Sequence, residues 1–452
     1  MTISSRRFYT PETEQEVLEI LNRHRGERIR CIGKTHSWSR VLESEDVLLD
    51  MSQIQHVRCN SEGSPTVIAG AGCQIRRLLS ELKRQRDWTL PSVGFITEQS
   101  IAGAIATGTH GSGKHSLSHY VTRLKVARYD QRSGQAIIET IDQGLELRAA
   151  RCALGCLGVV LEVELPCRPC YQVEESFKEY PDVKSVLSME DGYPLQQFYL
   201  VPWRWTCFAQ HRREVDRTSS TLLSLYQWYR FFVFDLAMHL LILLSAVWMQ
   251  SSGLVRWLFR WLIPLFVIRN WKVIGPSNQQ LVMEHELFRH VEMEIFVPRP
   301  QLEAAIEFLK GAMIAASNGQ GISSHTYTHH YPICIRKILS DDTLISMASP
   351  LEHNPNASSE GITWYSITLT NYHRGRARRP FEDWVALLAD EMTKRFEARL
   401  HWGKLCPLSP TALVQSYPDF DRFREVCQRV DPDGRFRNDW IEELLSVETA
   451  KS

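Results

Sequence analysis

The sequence predicts an α+β protein built in two regions, and three patterns carry that prediction. Over residues 1–170, short apolar and β-branched runs ("DVLLDMSQ", "PTVIAGAG", "GVVLEVEL") alternate with one or two amphipathic helices such as "IRRLLSELKRQ". From 171 the texture changes. Longer helices, "PRPQLEAAIEFLKGAM" and "RPFEDWVALLADEMTKRFEARL", stand among the strands "QQFYLVPW", "VEMEIFVP", "PICIRKI" and "TWYSITLTNYH". The third pattern is a closing stretch over 401–452, which opens on "HWGK" and ends in a helix and a Pro-Asp-Gly turn. The chain therefore divides at 170 and 400.

The first residues, "MTISSRRFYTPETEQEV", read as a strand and then a helix. Thr10 serves as cap, Pro11 as first helical residue and Glu12 as an acid complementing the dipole. They hold no apolar stretch of the kind a secretory signal needs. With 52 basic and 52 acidic residues among 452, the chain is formally neutral, and no basic face points to nucleic acid. Eleven scattered cysteines suit buried thiols of a reducing compartment. The one CxxC, Cys167 to Cys170, lacks the second pair or histidine a zinc site needs.

Two loops carry candidate chemistry. In "RIRCIGKTHSWSR" (28–40) a strand ends at Gly33, followed by Lys34, Thr35, His36 and Ser37, all hydrogen-bond donors. Free backbone amides beside such side chains suit an anion, above all a phosphate. In "SIAGAIATGTHGSGKHS" (100–116), small residues including Gly103, Gly108 and Gly111 allow close approach of a ligand that Thr109 and His110 can reach. No long helix follows this cluster and no acidic residue stands about 20 positions on, so it is not a dinucleotide fingerprint. Together the loops suit a long cofactor lying between them.

Residues 221–270 are the compositional outlier. "LAMHLLILLSAVWMQSSGLV" has no formal charge apart from His239, and "RWLFRWLIPLFVI" follows with two arginines. The length allows a crossing, but a single one would put the halves of the second region on opposite sides of a bilayer. The segment reads as a helical hairpin lying in one leaflet, or otherwise as a buried helix pair.

"IGKTHSWS", "AGAIATGTHGSG", "GCLGVVLEVEL", "HWGK" and "YPDFDRFREVCQRVDPDGRFRNDWIEELL" resemble the aldonolactone oxidases, in order and over nearly the whole chain. The resemblance implies the vanillyl-alcohol-oxidase fold: a two-subdomain, PCMH-type FAD domain and a substrate cap with an antiparallel sheet flanked by helices. It implies that His36 bonds covalently to the flavin 8α-carbon, or otherwise only contacts its phosphates. Lys34, by like-charge repulsion, would keep that imidazole neutral. Relatives often have glycines where this chain has Lys34 and Thr35, so either the loop needs no positive φ there or Lys34 itself meets the pyrophosphate.

The resemblance further implies that Arg336 and Lys404 face the flavin as fixed cations. It sets Cys334 where relatives have a glutamate, and Pro91 and Ser92 beside the oxygen-reactive edge. Thr368 and Thr370 are candidate pocket residues, and His401-Trp402 reads as packing. The implied activity is oxidation of an alcohol group of a sugar lactone or polyol, with hydride to FAD and oxygen as acceptor. The alternatives are a membrane dehydrogenase serving a quinone or cytochrome, and a non-catalytic flavin-binding protein. The apolar insert would associate the protein with the cytoplasmic side of a membrane.

Overall fold

The computed structural model describes residues 5–94, 96–283, 287, 289–320, 325–351, 362–373 and 376–448. Strands Arg7–Tyr9, Val47–Asp50 and Ile29–Ile32 form a parallel sheet with Val47–Asp50 in the middle. Helix Glu14–Arg23 packs Val17, Ile20 and Leu21 into one core with Ile29, Val47 and Leu49. It starts later than Thr10 and Pro11 imply. Thr13 is the cap, its Oγ1 accepting from the Glu16 amide at 3.2 Å. An acid three residues after a threonine is the stronger capping signal, and "TEQE" (13–16) carries it.

The strands Val57–Asn60, Thr66–Gly70, Val159–Pro166, Arg123–Tyr129 and Ala136–Ile141 form, in that order, an antiparallel sheet of five. Helix Ile75–Arg86 buries Ile75, Leu78, Leu79 and Leu82, the positions its period marks as apolar.

The second region is an eight-stranded antiparallel sheet. Its order is Val273–Pro276, Gln172–Tyr180, Cys207–Val215, Gln197–Leu200, Ile333–Ile338, Trp364–Tyr372, His290–Pro298 and Arg399–Leu400. Alternation sorts its faces. Ile333, Ile335, Ile367, Leu369, Met293 and Ile295 are buried in the main core together with the inner faces of helices Leu302–Ser317 and Arg378–Phe396. The other face presents Cys334, Arg336, Thr368, Thr370, Glu292 and Glu294. Register aligns Tyr199 with Cys334, Cys334 with Thr368 and Thr368 with Glu294, one polar row across four strands.

After Leu400 the chain stays beside that row. The His401 amide bonds Glu294 O at 3.0 Å and the Leu405 amide bonds Glu292 O at 2.9 Å. The Trp38 amide in turn bonds Gly403 O at 3.0 Å, which ties the first loop to this return segment.

The apolar insert leaves the sheet after Val215 and rejoins it at Val273–Pro276. Leu223–Trp248 is a continuous helical run of 26 residues whose most apolar window has mean hydropathy 2.1 and is 22% buried. That run is long and apolar enough to cross a membrane. A second run, Ser252–Phe266, is capped by Ser251 Oγ, which accepts from the Leu254 amide at 3.2 Å. The insert is thus a hairpin anchored to one sheet at both ends, and it is not a buried helix pair.

Candidate active site

The first loop and the small-residue cluster meet. A Cβ on Gly33 would stand 2.0 Å from Ser100 Oγ, so only glycine lets the two backbones come this close. Between them runs a cavity lined by Gly33, Lys34, Thr35, His36, Ser37, Gln99, Ser100, Gly103 and Arg30. Thr35 has φ +52°, so the loop does need a positive φ at this β-branched residue, a conformation that costs a non-glycine of order 1–2 kcal/mol. Among the described residues, the amides of Lys34 to Ser37 bond no backbone carbonyl.

Arg30 is 4% exposed and bonds the carbonyls of Val41, Leu154, Gly155 and Phe436. No carboxylate among the described residues balances it, and its Nε is buried without a partner. A buried unbalanced guanidinium and a row of open amides fit an anionic group such as the diphosphate of FAD. His36, half-buried in the same wall, is pushed toward its neutral form. Burial is the main cause and Glu98 opposes it, while Lys404 and then Lys34 add to it.

Gln99 also lines a second cavity, so the two adjoin. This one collects Thr109, His110, Tyr199, His290, Glu292, Glu294, Tyr331, Cys334, Arg336, Thr368, Thr370, His401 and Lys404. Its cations are already paired, Arg336 with Glu294 and Lys404 with Glu292. Thr368 Oγ1 donates to Glu294 at 3.1 Å, His290 lies 3.0 Å from Glu292, and the Lys404 ammonium sits 4.6 Å above the Trp38 ring. Burial would raise the Glu294 carboxyl, but Arg336 and His110 hold it well below the usual range. Glu292 is likewise held low by Lys404 and His290 against its burial.

Glu292 and Glu294 are the residues that sequence reasoning passed over. "VEMEIFVP" reads as a strand, yet two carboxylates at period 2 in so apolar a run are a signal of their own. Glu294, two strands away from Cys334, is the carboxylate that pairs with Arg336. Burial pushes the Cys334 thiol up to about 12, with Arg336 pulling the other way, so no thiolate is present at neutral pH. Cys334→Ser should therefore change kcat/KM less than about threefold, well short of the 10²-fold typical of a lost acid–base group. A 10²-fold loss on every substrate would restore the thiol to the chemistry.

The other sequence candidates fall in different places. Pro91, Ser92 and Gly111 line a separate small cavity with Lys114 and Arg212. Gly108 (φ +76°) abuts Met347. Trp402 is core, with Nε1 donating to Ile345 O at 2.7 Å and its ring stacked on Tyr417. His401, by contrast, faces the charged cavity.

His110, Glu294 and His401 offer ligand atoms within 4.8 Å of one another, but their hydrogen bonds do not suit a metal. His401 Nδ1 accepts from the Gly403 amide at 3.0 Å, so its proton is on Nε2, the atom a metal would need. Burial lowers His401 to about 3, in keeping with that neutral tautomer. His329 (about 3), His330 and His211 (both about 4) are depressed by burial as well.

Depressed histidines give an acid-labile fold. Each takes up a proton on unfolding once pH drops below 6.5, so stability is full above that value and falls toward pH 4. The slope is about 1.4 kcal/mol per pH unit for each group. Thermal melts at pH 7 and pH 5 should show a clear fall in Tm. Equal values would mean that these rings are not buried neutral.

A sequence model of an FAD-binding domain matches residues 5–131. The crystal structure of cholesterol oxidase from B. sterolicum superposes with TM-score 0.77 over 97% of this chain and 94% of that one, at 16% identity. With the paired-ion cavity beside the anion-binding one, these define an FAD flavoprotein of the PCMH-type fold.

The chain belongs to the D-arabinono-1,4-lactone oxidase family, whose sequence model matches residues 163–444, and it is an oxidase of that FAD-linked class. It is 46% identical to a long-chain alcohol oxidase of an uncultured marine euryarchaeote, over 97% of this chain and 94% of that protein. It is 25% identical to the L-gulonolactone oxidase of Bos taurus, with the same coverage.

Proposed function

We propose that the protein oxidises the terminal hydroxyl of alcohols carrying a long apolar chain. The observation that carries this reading is a third cavity, between the cap sheet and the insert. It is lined by Phe177, Val201, Phe208, Phe234, Met238 and Ile263 among others, and shares Tyr199, Met283 and Tyr331 with the charged cavity. From a hydroxyl seated among Glu294, Arg336 and His110, the third cavity gives the rest of the molecule a mostly apolar surface to lie on. The name of the 46% identical relative supports the same reading.

An FAD held by Arg30, the open amides of 34–37 and the close approach at Gly33 would supply the hydride acceptor, with oxygen as final oxidant reduced to peroxide as the alcohol becomes an aldehyde. The chain's own residues hold the hydroxyl and move its proton. His110 Nδ1–H donates to Gly111 O at 2.9 Å, and its Nε2 lies 3.3 Å from Glu294 Oε1. This ring and carboxylate, side by side in the charged cavity, are the pair that takes up the hydroxyl proton in this reading. Arg336 and Lys404, fixed by their carboxylates, offset the charge that develops.

His36 is the covalent tether, because a nucleophilic imidazole must be neutral and this one is held so. The apolar insert and eleven free thiols support a position on the cytoplasmic face of a membrane.

A sugar lactone or polyol is the second reading, favoured by the hydroxyls of Thr109, Thr368 and Thr370 around the charged cavity. Chain length separates the two. Each buried methylene contributes about 0.8 kcal/mol, so kcat/KM on 1-alkanols should rise about fourfold per carbon from butanol upward. Val201→Trp, which fills the apolar cavity, should flatten that rise. No rise in the wild type would turn the substrate back to a polyol or lactone.

A further inference from the structure

The insert has two faces, and they do different things. Its inner face (Val233, Phe234, Met238, Ile263, Pro264, Val267) roofs the apolar cavity. Its outer face is bare. Among the described residues, thirteen of the eighteen exposed large apolar side chains lie between Leu222 and Ile268, including Trp228, Leu240, Trp248, Trp261 and Leu265. Phe266 belongs to both faces, lining the cavity while 37% exposed, and Leu265 beside it is 72% exposed. The cavity wall therefore reaches the bare apolar surface at Phe266.

Charge identifies what covers that surface. From Arg217 to Lys272 the chain has six basic residues and one acid, Asp235, which is buried. Arg260 is exposed and stacks at 5.2 Å on Trp261, in the middle of the apolar face. Tryptophans with arginines around an apolar helical face match the headgroup level of an anionic leaflet. Both ends of the hairpin return to one sheet, its inner face stays on the cap, and the run Ser252–Phe266 extends only about 22 Å, short of a crossing, which favours a single leaflet.

We propose that the insert docks the protein on an anionic bilayer and that substrate is loaded from the lipid phase at Phe266. This rests on the long-chain alcohol reading above. An alcohol in a leaflet keeps its hydroxyl at headgroup level and its chain below. It enters hydroxyl first, so the head reaches Glu294 and Arg336 while the chain trails through the apolar cavity toward the membrane. The alcohol thus passes from lipid to the charged cavity without crossing water.

The test uses the full-length, flavin-loaded protein and the double variant Trp261→Glu/Leu265→Glu, whose side chains line neither cavity. 1-Hexadecanol is supplied in vesicles of phosphatidylglycerol and phosphatidylcholine, and 1-hexanol is supplied in water. The variant should lose vesicle co-sedimentation and at least about tenfold of its hexadecanol turnover, with hexanol turnover and flavin spectrum unchanged. Wild-type vesicle turnover should also fall when phosphatidylglycerol is omitted or salt is raised.

Hexadecanol turnover by the variant equal to wild type would overturn the proposal and leave the alcohol reading intact. A wild type that oxidises neither alcohol would remove that reading first. Self-association through the insert without vesicle binding would also overturn it, by assigning the face to a second copy of the chain.

Discussion

Arg336→Met is expected to cut kcat/KM by about 10²- to 10³-fold and to lower stability by about 3–5 kcal/mol. Arg336 and Glu294 are both buried, and Glu294 is 1% exposed. Removing the guanidinium leaves a carboxylate with its strongest partner gone, in a place where water cannot replace it. The same change frees His110 from its set position against Glu294. Adding Glu294→Gln to Arg336→Met should recover much of the stability and none of the turnover. Melting curves and steady-state kinetics on the two variants check both halves. A single variant with wild-type Tm, or a double variant no more stable than the single, would show that the pair is not coupled as described.

His36→Ala is expected to turn a bound flavin that survives acid precipitation into one that washes away. In the wild type the precipitate should be yellow and the supernatant colourless; in the variant the colour should move to the supernatant. The variant should still load FAD at neutral pH, because Arg30, the open amides of 34–37 and the close approach at Gly33 remain. His36→Ala protein that never takes up flavin would assign His36 to folding of the loop. A colourless wild-type precipitate would leave His36 with phosphate contact alone.

The fold was readable where period and composition are strong. The Ile75–Arg86 helix, the Thr66–Gly70 and Val159–Pro166 strands and the two helices flanking the cap sheet follow from apolar spacing alone. The first helix is capped at Thr13, three residues after Thr10, because the Thr13–Glu16 pair prevails over Pro11 as a start signal. In the site, the loop from Gly33 to Ser37 could be read as a candidate anion-binding turn because local backbone chemistry writes a local pattern. Glu294 could not be paired with Arg336 in the same way. The two are 42 residues apart, and the register of the intervening strand Trp364–Tyr372 brings them together. Cross-strand partnership depends on sheet order, which no single strand encodes. The apolar insert could be read as an outlier, but only the folded chain shows that its inner face roofs a cavity joined to the charged one.

In the proposed reaction the hydroxyl sits in the charged cavity and the alkyl chain lies beneath the insert. The most direct test is anaerobic titration of the flavin-loaded protein, following the flavin absorbance. Bleaching by 1-dodecanol, with aldonolactones and alditols leaving the spectrum unchanged at the same concentration, is the predicted result. Bleaching by a lactone or alditol with none from any 1-alkanol would contradict the account.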